Sequence, residues 1–189
     1  MKASFVRSYA EQEPGMTVLM MAAGLGRTDM VKLLLERGAN RLAYTRSRSR
    51  LLALYFAAWA DKAECVQLLL GRTPDRDRLR IEISLDRQKA ELVQDGATVF
   101  TTEISSGRPG FRTPTGDFVI TDKHLEHTSS IYHDAKMPFF MRLSCRDFGM
   151  HQGVVPGHPA SHGCIRLPGG AARKFFKELP IGTWVSITR

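Results

Sequence analysis

Cysteine is scarce in this chain: Cys65, Cys145 and Cys164 are the only three in 189 residues. So few, and an odd number, exclude a small fold stapled by disulfides. Cys65 falls in an apolar helical pattern and Cys145 near a strand end, so no bridge between them is expected. The count assigns no redox compartment. Long apolar runs are also missing; nothing approaches the roughly 18 residues that a membrane helix needs. Residues 1–14 carry Lys2 and Arg7, but no apolar run of about 7–15 follows before Glu11 and Glu13, so no secretory leader is visible there. Structural zinc takes close ligand pairs. Cys-x-x-Cys is absent, and His151, His158, His162 and Cys164 are not read as a metal site.

What is present suits a compact enzyme. Hydrophobic residues make up 43% of the chain, enough for one large core or two small ones. The net charge of +8 is spread evenly: residues 1–77 carry 12 Lys/Arg against 8 Asp/Glu, and residues 78–189 carry 15 against 11. A diffuse basic balance suits an anionic polymer approached through long-range attraction. The denser cluster of Arg41, Arg46, Arg48 and Arg50 has one interleaved aromatic, Tyr44. It reads as a solvated loop, and no nucleic-acid partner is expected.

Residues 149–168 read Gly-Met-His-Gln-Gly-Val-Val-Pro-Gly-His-Pro-Ala-Ser-His-Gly-Cys-Ile-Arg-Leu-Pro. Cys164 directly follows Gly163, with His162 two positions before it and His151 thirteen. A thiol is a poor nucleophile until a base or a positive environment makes it a thiolate. The preceding glycine permits a sharp turn in which successive N–H groups point at one spot and stabilise an oxyanion. Lone cysteines are commonly small buried apolar residues, but nucleophile, base and oxyanion donors together point to acyl transfer. His158, between Gly157 and Pro159, reads as a loop histidine near substrate and not as the base.

Ser161-His162-Gly163-Cys164-Ile165-Arg166-Leu167 resembles the signature of the L,D-transpeptidase catalytic (YkuD) family. Upstream, the run Ser105-Ser106-Gly107-Arg108-Pro109-Gly110-Phe111-Arg112-Thr113-Pro114-Thr115-Gly116-Asp117-Phe118 is similar to that family's Ser/Thr-Gly-x-Pro-Gly…Thr-Pro-x-Gly-x-Phe segment. Met137-Pro138-Phe139-Phe140-Met141-Arg142 resembles its Met-Pro-aromatic-x-Met-Arg strand. The likeness covers roughly residues 79–187. It implies a cysteine acyltransferase acting on peptidoglycan stem peptides at the cell envelope, without metal or organic cofactor. Cys164 would attack the L-centre carbonyl of the stem's diamino acid and form a thioester. His151 would be the base, oriented by the Gln152 carbonyl. The N–H groups of His162, Gly163 and Cys164 would form the oxyanion hole, and Ser161 would fix the His162 turn. Arg166 either binds a substrate carboxylate or braces the loop through carbonyls. Phe139 and Met141 are expected to support or contact substrate.

The N-terminal third follows a different pattern. Thr17-Val18-Leu19-Met20-Met21-Ala22-Ala23, then Gly26, then Val31-Lys32-Leu33-Leu34-Leu35 and Gly38-Ala39-Asn40 resemble an ankyrin repeat, with helices around 19–23 and 29–37. A shift of 35 residues puts Ala57-Ala58 on Ala22-Ala23 and Val66-Gln67-Leu68-Leu69-Leu70 on Val31–Leu35. The usual period is about 33, so two residues are added, in the loop at 46–50. The second copy is degenerate: Leu52 stands for Thr17 and Asp61 for Gly26. Thr73-Pro74-Asp75-Arg76-Asp77 reads as a linker.

Beyond the linker the period becomes two. Leu79, Ile81, Ile83 and Leu85 alternate with polar residues, and Asp95-Gly96 marks a hairpin between 90–93 and 97–102. Further strands are expected at 117–121, 139–143, 149–151 and 184–188, and one helix at 171–178. Residues 122–137, with His124, His127 and His133, read as a polar, lid-like insert whose histidines lie on the surface. The fold class is therefore α+β and multidomain: ankyrin-like helices over 1–73, a linker at 74–78 and a mostly-β catalytic domain over 79–189.

The sequence leaves the acceptor open. An amine would give a 3→3 cross-link or a protein attached to the wall; water would give an L,D-carboxypeptidase. A reading of another class makes the chain an ankyrin-based binding protein with a decayed enzyme, and the intact Ser-His-Gly-Cys-Ile-Arg run argues against it. Arrays of two repeats rarely stand alone, so residues 1–73 are expected to pack on the catalytic domain while keeping a groove for a protein partner. A chain starting at Arg78 should then lose solubility or melt earlier while its cysteine still reacts with a carbapenem. Equal stability, together with independent folding of residues 1–73, would sink that expectation.

Overall fold

The computed structural model describes residues 13–76, 78–129 and 135–189, so His133 lies outside the described residues. The chain divides into two compact units, Met1–Asp75 and Arg76–Arg189.

In the first unit, α1 (Val18–Leu25) and α2 (Thr28–Glu36) form one helix pair, and α3 (Ala53–Trp59) and α4 (Ala63–Leu69) a second. The Thr17 hydroxyl accepts the Met20 N–H at 3.2 Å, while Met20 Sδ accepts the Thr17 N–H at 3.3 Å. Two donors that a helix start leaves orphaned are thereby satisfied. Gly26 ends α1 in the left-handed region at φ 70°. The second pair keeps this geometry with less suitable residues. Leu52 supplies no side-chain cap, and Asp61 takes the left-handed position at φ 57°. The 35-residue offset thus survives as backbone shape where its residue chemistry has lapsed. Equivalent helices stack, α1 on α3 and α2 on α4. Ala22, Ala23, Ala57 and Ala58 are buried and allow close approach, while Phe56 fills the core at 1% exposure. Burying such a side chain contributes about 1.5–3 kcal/mol. Arg41, Arg46, Arg48 and Arg50 are all exposed, as a solvated loop requires.

The second unit is mostly β and barrel-like. Its strands are β1 (Leu79–Ser84), β2 (Lys89–Gln94), β3 (Ala97–Glu103), β4 (Gly116–His124), β5 (Phe140–Leu143), β6 (Gly149–Gln152), β7 (Ile165–Leu167) and β8 (Trp184–Thr188), with helix α5 (Gly169–Glu178) before β8. Their order is β3-β2-β1-β8-β4-β5-β6-β7. Most neighbours are antiparallel; β1–β8 and β6–β7 are parallel. Period-two alternation sends Ile81, Ile83, Val185, Ile187, Ile165 and Leu167 into one core, which Phe175 of α5 completes. Past β3 the chain runs on to β7: Ser105 pairs with Arg166 and Gly107 with Ser161. These bridges join the two ends of the strand order.

Three expected boundaries differ. β7 was not expected, because three residues between Cys164 and Pro168 carry too little periodicity to read. β4 runs on to His124, so the polar insert starts later than 122. Helix α5 starts at Gly169, ahead of 171, with Pro168 in the N-cap position.

The caps of the first repeat should carry measurable stability. Thr17→Ala should cost about 1 kcal/mol. Gly26→Ala, which forces a Cβ into the left-handed region, should cost about 1–2 kcal/mol. Thermal melts of the whole protein would show both as lower midpoints. An unchanged midpoint for Thr17→Ala would overturn the capping argument.

Candidate active site

Parallel strands cannot be joined by a tight turn; they need a crossover of about a dozen residues or more. β6 and β7 are such a pair, and residues 153–164 form their connection. The crossover delivers Cys164 to the first position before β7, directly after His162 and Gly163. In the ladder, Met150 pairs with Ile165 and His151 with Arg166. Met150 and Ile165 are fully buried in the core. Alternation therefore sends His151 and Arg166 to the opposite face. Cys164 lies in the bend just before β7, half-buried and packed beside the core.

His151 is 7% exposed. Its Nδ1 lies 2.7 Å from the Gln152 carbonyl oxygen. A carbonyl only accepts, so Nδ1 carries the proton and Nε2 is left as the basic nitrogen. Burial pulls the ring's pKa down to about 4, against the Gln152 bond that raises it; Arg166 and His127 push it further down. Burial also raises the Cys164 thiol, against a backbone hydrogen bond from Gly149 and the charges of Arg166 and Arg142. The resting pair is thus neutral thiol and neutral imidazole.

The turn before Cys164 is tightly determined. Ser161, 1% exposed, accepts the Gly163 N–H at 3.1 Å and donates its hydroxyl to the Cys164 carbonyl. Gly163 sits at φ 114°, a conformation side chains rarely adopt. Thr113 donates to the Gly163 carbonyl at 2.9 Å while accepting the Gly107 N–H at 2.9 Å. Of the three amides expected to form an oxyanion hole, that of Gly163 donates to Ser161 in this structure.

Other expected site residues fall elsewhere. Met141 is fully buried in the core, its strand register facing Met150, so it supports the barrel and cannot contact substrate. Phe139 packs against Phe176 of α5 at 5.6 Å between ring centroids and is a packing residue. The aliphatic stem of Arg166 lies over Gly153. His158 is exposed, with its carbonyl held by Ser105 Oγ at 2.8 Å. Among the described residues no three His, Cys, Asp or Glu side chains come together as a metal site.

Some residues gain a place that sequence reading did not give them. His127, read as a surface residue, is half-buried and stacks on Phe140 at 4.3 Å and 20°. Phe140 in turn lies 6.5 Å from His151. Thr113 sits in a quoted motif, yet its link to Gly163 spans 50 positions and no local pattern announces it. Cys145 is the second residue of the β5–β6 turn at φ 54°, and burial pushes its thiol up to about 11.

Comparison with known proteins agrees with this geometry. The profile of the L,D-transpeptidase catalytic domain (YkuD) matches residues 78–187, and that of ankyrin repeats (3 copies) matches residues 3–78. A Bacillus licheniformis protein named as an L,D-transpeptidase YkuD is 30% identical over 120 residues, 62% of this chain and 70% of that protein. An L,D-transpeptidase from Mycobacterium smegmatis superposes with a TM-score of 0.56 at 19% identity, over 62% of this chain and 61% of that one. L,D-transpeptidase 3 from Mycobacterium tuberculosis, solved with a faropenem-derived adduct, gives 0.54 at 21% identity, over 62% of each. The chain spans about three fifths of these solved structures, and at such identities they speak for the fold. With more than half its length matched by one catalytic-domain profile, the chain belongs to the L,D-transpeptidase catalytic domain (YkuD) family and carries an ankyrin region ahead of that domain.

Proposed function

We propose that the Arg76–Arg189 unit is a cysteine acyltransferase acting on peptidoglycan stem peptides. The observation that carries this reading is His151 Nδ1 tied to the Gln152 carbonyl, so that Nε2 is the basic atom, on the strand paired with β7, which begins directly after Cys164. In the first half-reaction Sγ forms a bond to the L-centre carbonyl of the stem's diamino acid. His151 Nε2 takes the thiol proton, and the backbone amides of the His162, Gly163 and Cys164 turn hold the oxyanion. Collapse breaks the C–N bond, the same proton passes to the departing amine, and D-alanine leaves a thioester. In the second half an amine gives up a proton to His151 and attacks the thioester carbonyl. The C–S bond breaks, His151 returns that proton to the departing Sγ, and the new amide is a cross-link or a protein attached to the wall. Water in its place gives the L,D-carboxypeptidase outcome. The same reading sets the protein at the cell envelope and gives the ankyrin region a protein partner.

Incubation with a disaccharide-tetrapeptide, followed by mass analysis, should show loss of D-alanine. Products joined through the acceptor amine indicate transfer, and tripeptide alone indicates hydrolysis. Cys164→Ala should abolish both. His151→Ala should slow acylation about 10²-fold or more, the scale of general-base catalysis, and His158→Ala should change it little. Turnover by Cys164→Ala would remove the nucleophile assignment.

The protonation states also predict a pH profile. His151 stays neutral down to about 4, and Cys164 keeps its proton at neutral pH and above. Acylation by faropenem, of the class seen on the Mycobacterium tuberculosis relative, should therefore be flat from about pH 5 to 8. It should fall as His151 takes a proton near pH 4. A pre-formed thiolate acting without the base would instead speed up roughly tenfold per pH unit across that range, and such a slope would refute the coupled proton transfer.

A further inference from the structure

Two guanidinium groups stand at the nucleophile turn without a carboxylate. Arg80, Arg87 and Arg142 each pair with an acid. Among the described residues neither Arg108 nor Arg166 does. Arg166 follows Cys164 by two positions, in β7 opposite His151 of β6. Arg108 comes from the loop after β3 and is exposed, a setting in which an arginine normally samples many rotamers.

Arg108 is nevertheless held on three sides. Its backbone N–H donates to the Ser161 carbonyl at 3.0 Å. Its Nη2 lies 2.7 Å from His162 Nε2, which must accept, since a guanidinium has no lone pair to offer. Its Cζ lies 5.0 Å over the Phe111 ring, and Phe111 meets His162 edge-on at 4.7 Å. One face and one nitrogen are used, and the remaining N–H donors keep the fork that matches a carboxylate. Desolvation, then Arg108 and Arg166, hold His162 below its ordinary pKa, so the neutral ring takes none of the positive charge away. An arginine fixed in place by neutral partners beside a nucleophile is pre-organised for an anion.

Resting on the acyltransferase reading, the geometry points to Arg108, together with Arg166, as the receiver of the free carboxylate of the departing residue. In a stem cut one residue from its end, that carboxylate is one residue's reach, about 3.5 Å, beyond the scissile carbonyl. The cationic residues flank Cys164 along the chain: His162, which holds Arg108, stands two positions before it, and Arg166 two positions after. Arg108 is thus a specificity determinant that restricts the enzyme to chain-terminal residues bearing a free acid. It takes no part in bond making.

The test compares two tetrapeptide stems, one ending in D-alanine and one in D-alaninamide, by the rate of release of the terminal residue. Wild type should favour the acid by about 10- to 100-fold, the scale of a charge-assisted hydrogen-bonded pair. Arg108→Ala and Arg108→Gln should bring the acid-to-amide ratio close to one, and Arg108→Lys should leave it in between. Because each ratio is taken within one protein, a damaged turn lowers both rates and leaves the ratio unmoved. If Arg108→Ala fails to fold, the wild-type ratio and the Gln and Lys variants decide. Equal rates on both stems in wild type, or an unchanged ratio in the variants, would overturn the carboxylate assignment while leaving the acyltransferase standing. Release from neither stem by wild type would overturn both.

Discussion

Two hydrogen bonds between Ser105 and Arg166 hold the active-site architecture together. Ser105 N–H donates to the Arg166 carbonyl at 3.0 Å, and Arg166 N–H donates back to Ser105 at 2.9 Å. They join the chain leaving β3 to β7, the far end of the strand order, and so close the barrel just after Cys164. A three-residue strand has little stability of its own. β7 exists because Met150 lies on one side of it and Ser105 on the other. Ser106 extends the closure: its carbonyl accepts the N–H groups of Ala160 and Ser161, and its own N–H is taken by Gln88 Oε1 at 2.9 Å. The Cys164 turn is thus tied to the opposite edge of the sheet in addition to the local bonds of Ser161.

That closure also decides the electrostatics. Sinking His151 and Cys164 between strands removes water from both, and at each group desolvation outweighs the charges around it. Arg166 and Arg142 would favour a thiolate, yet the thiol stays protonated. The same Arg166 helps to keep His151 from charging. A positive environment combined with burial therefore gives a neutral pair. The arrangement has a cost in acid. An unfolded chain takes up this proton near pH 6.5 and the folded one only near 4. Stability present above the upper value drains as pH falls between the two, by roughly 3 kcal/mol in all.

How much of this was legible in the sequence depended on the range of the interaction. β1 and β8 could be read directly, because Ile81, Ile83, Val185 and Ile187 alternate with polar residues. The Asp95-Gly96 hairpin was equally local, both residues taking the positive φ it requires. Cys164 and His151 could be named from motif resemblance alone, without any view of the pairing of β6 with β7. Met141 shows the limit of that method. A residue inside a family motif reads as functional, but strand alternation decides its side, and Met141 faces the core while its neighbour Arg142 faces outward. Thr113, Arg108 and His127 reach the site through partners tens of positions away or through ring stacking, and no periodicity encodes such contacts.

The degenerate ankyrin repeat shows the same separation between residue and shape from the other direction. Asp61 holds a left-handed conformation that costs an L-residue about 1–2 kcal/mol, and Leu52 starts a helix without a cap. Neither change reshapes the helix pair, because Phe56, Ala57, Ala58, Val66 and Leu69 are still buried against its neighbour. Burial of several apolar side chains, each contributing about 1.5–3 kcal/mol, outweighs the loss of local signals that together contribute less. In the catalytic unit the balance is reversed: the nucleophile turn is set by single hydrogen bonds from Ser161 and Thr113, with little apolar area to replace them. A lost hydrogen bond near Cys164 would therefore shift the Sγ atom, while a lost cap in the repeats leaves the buried face in place.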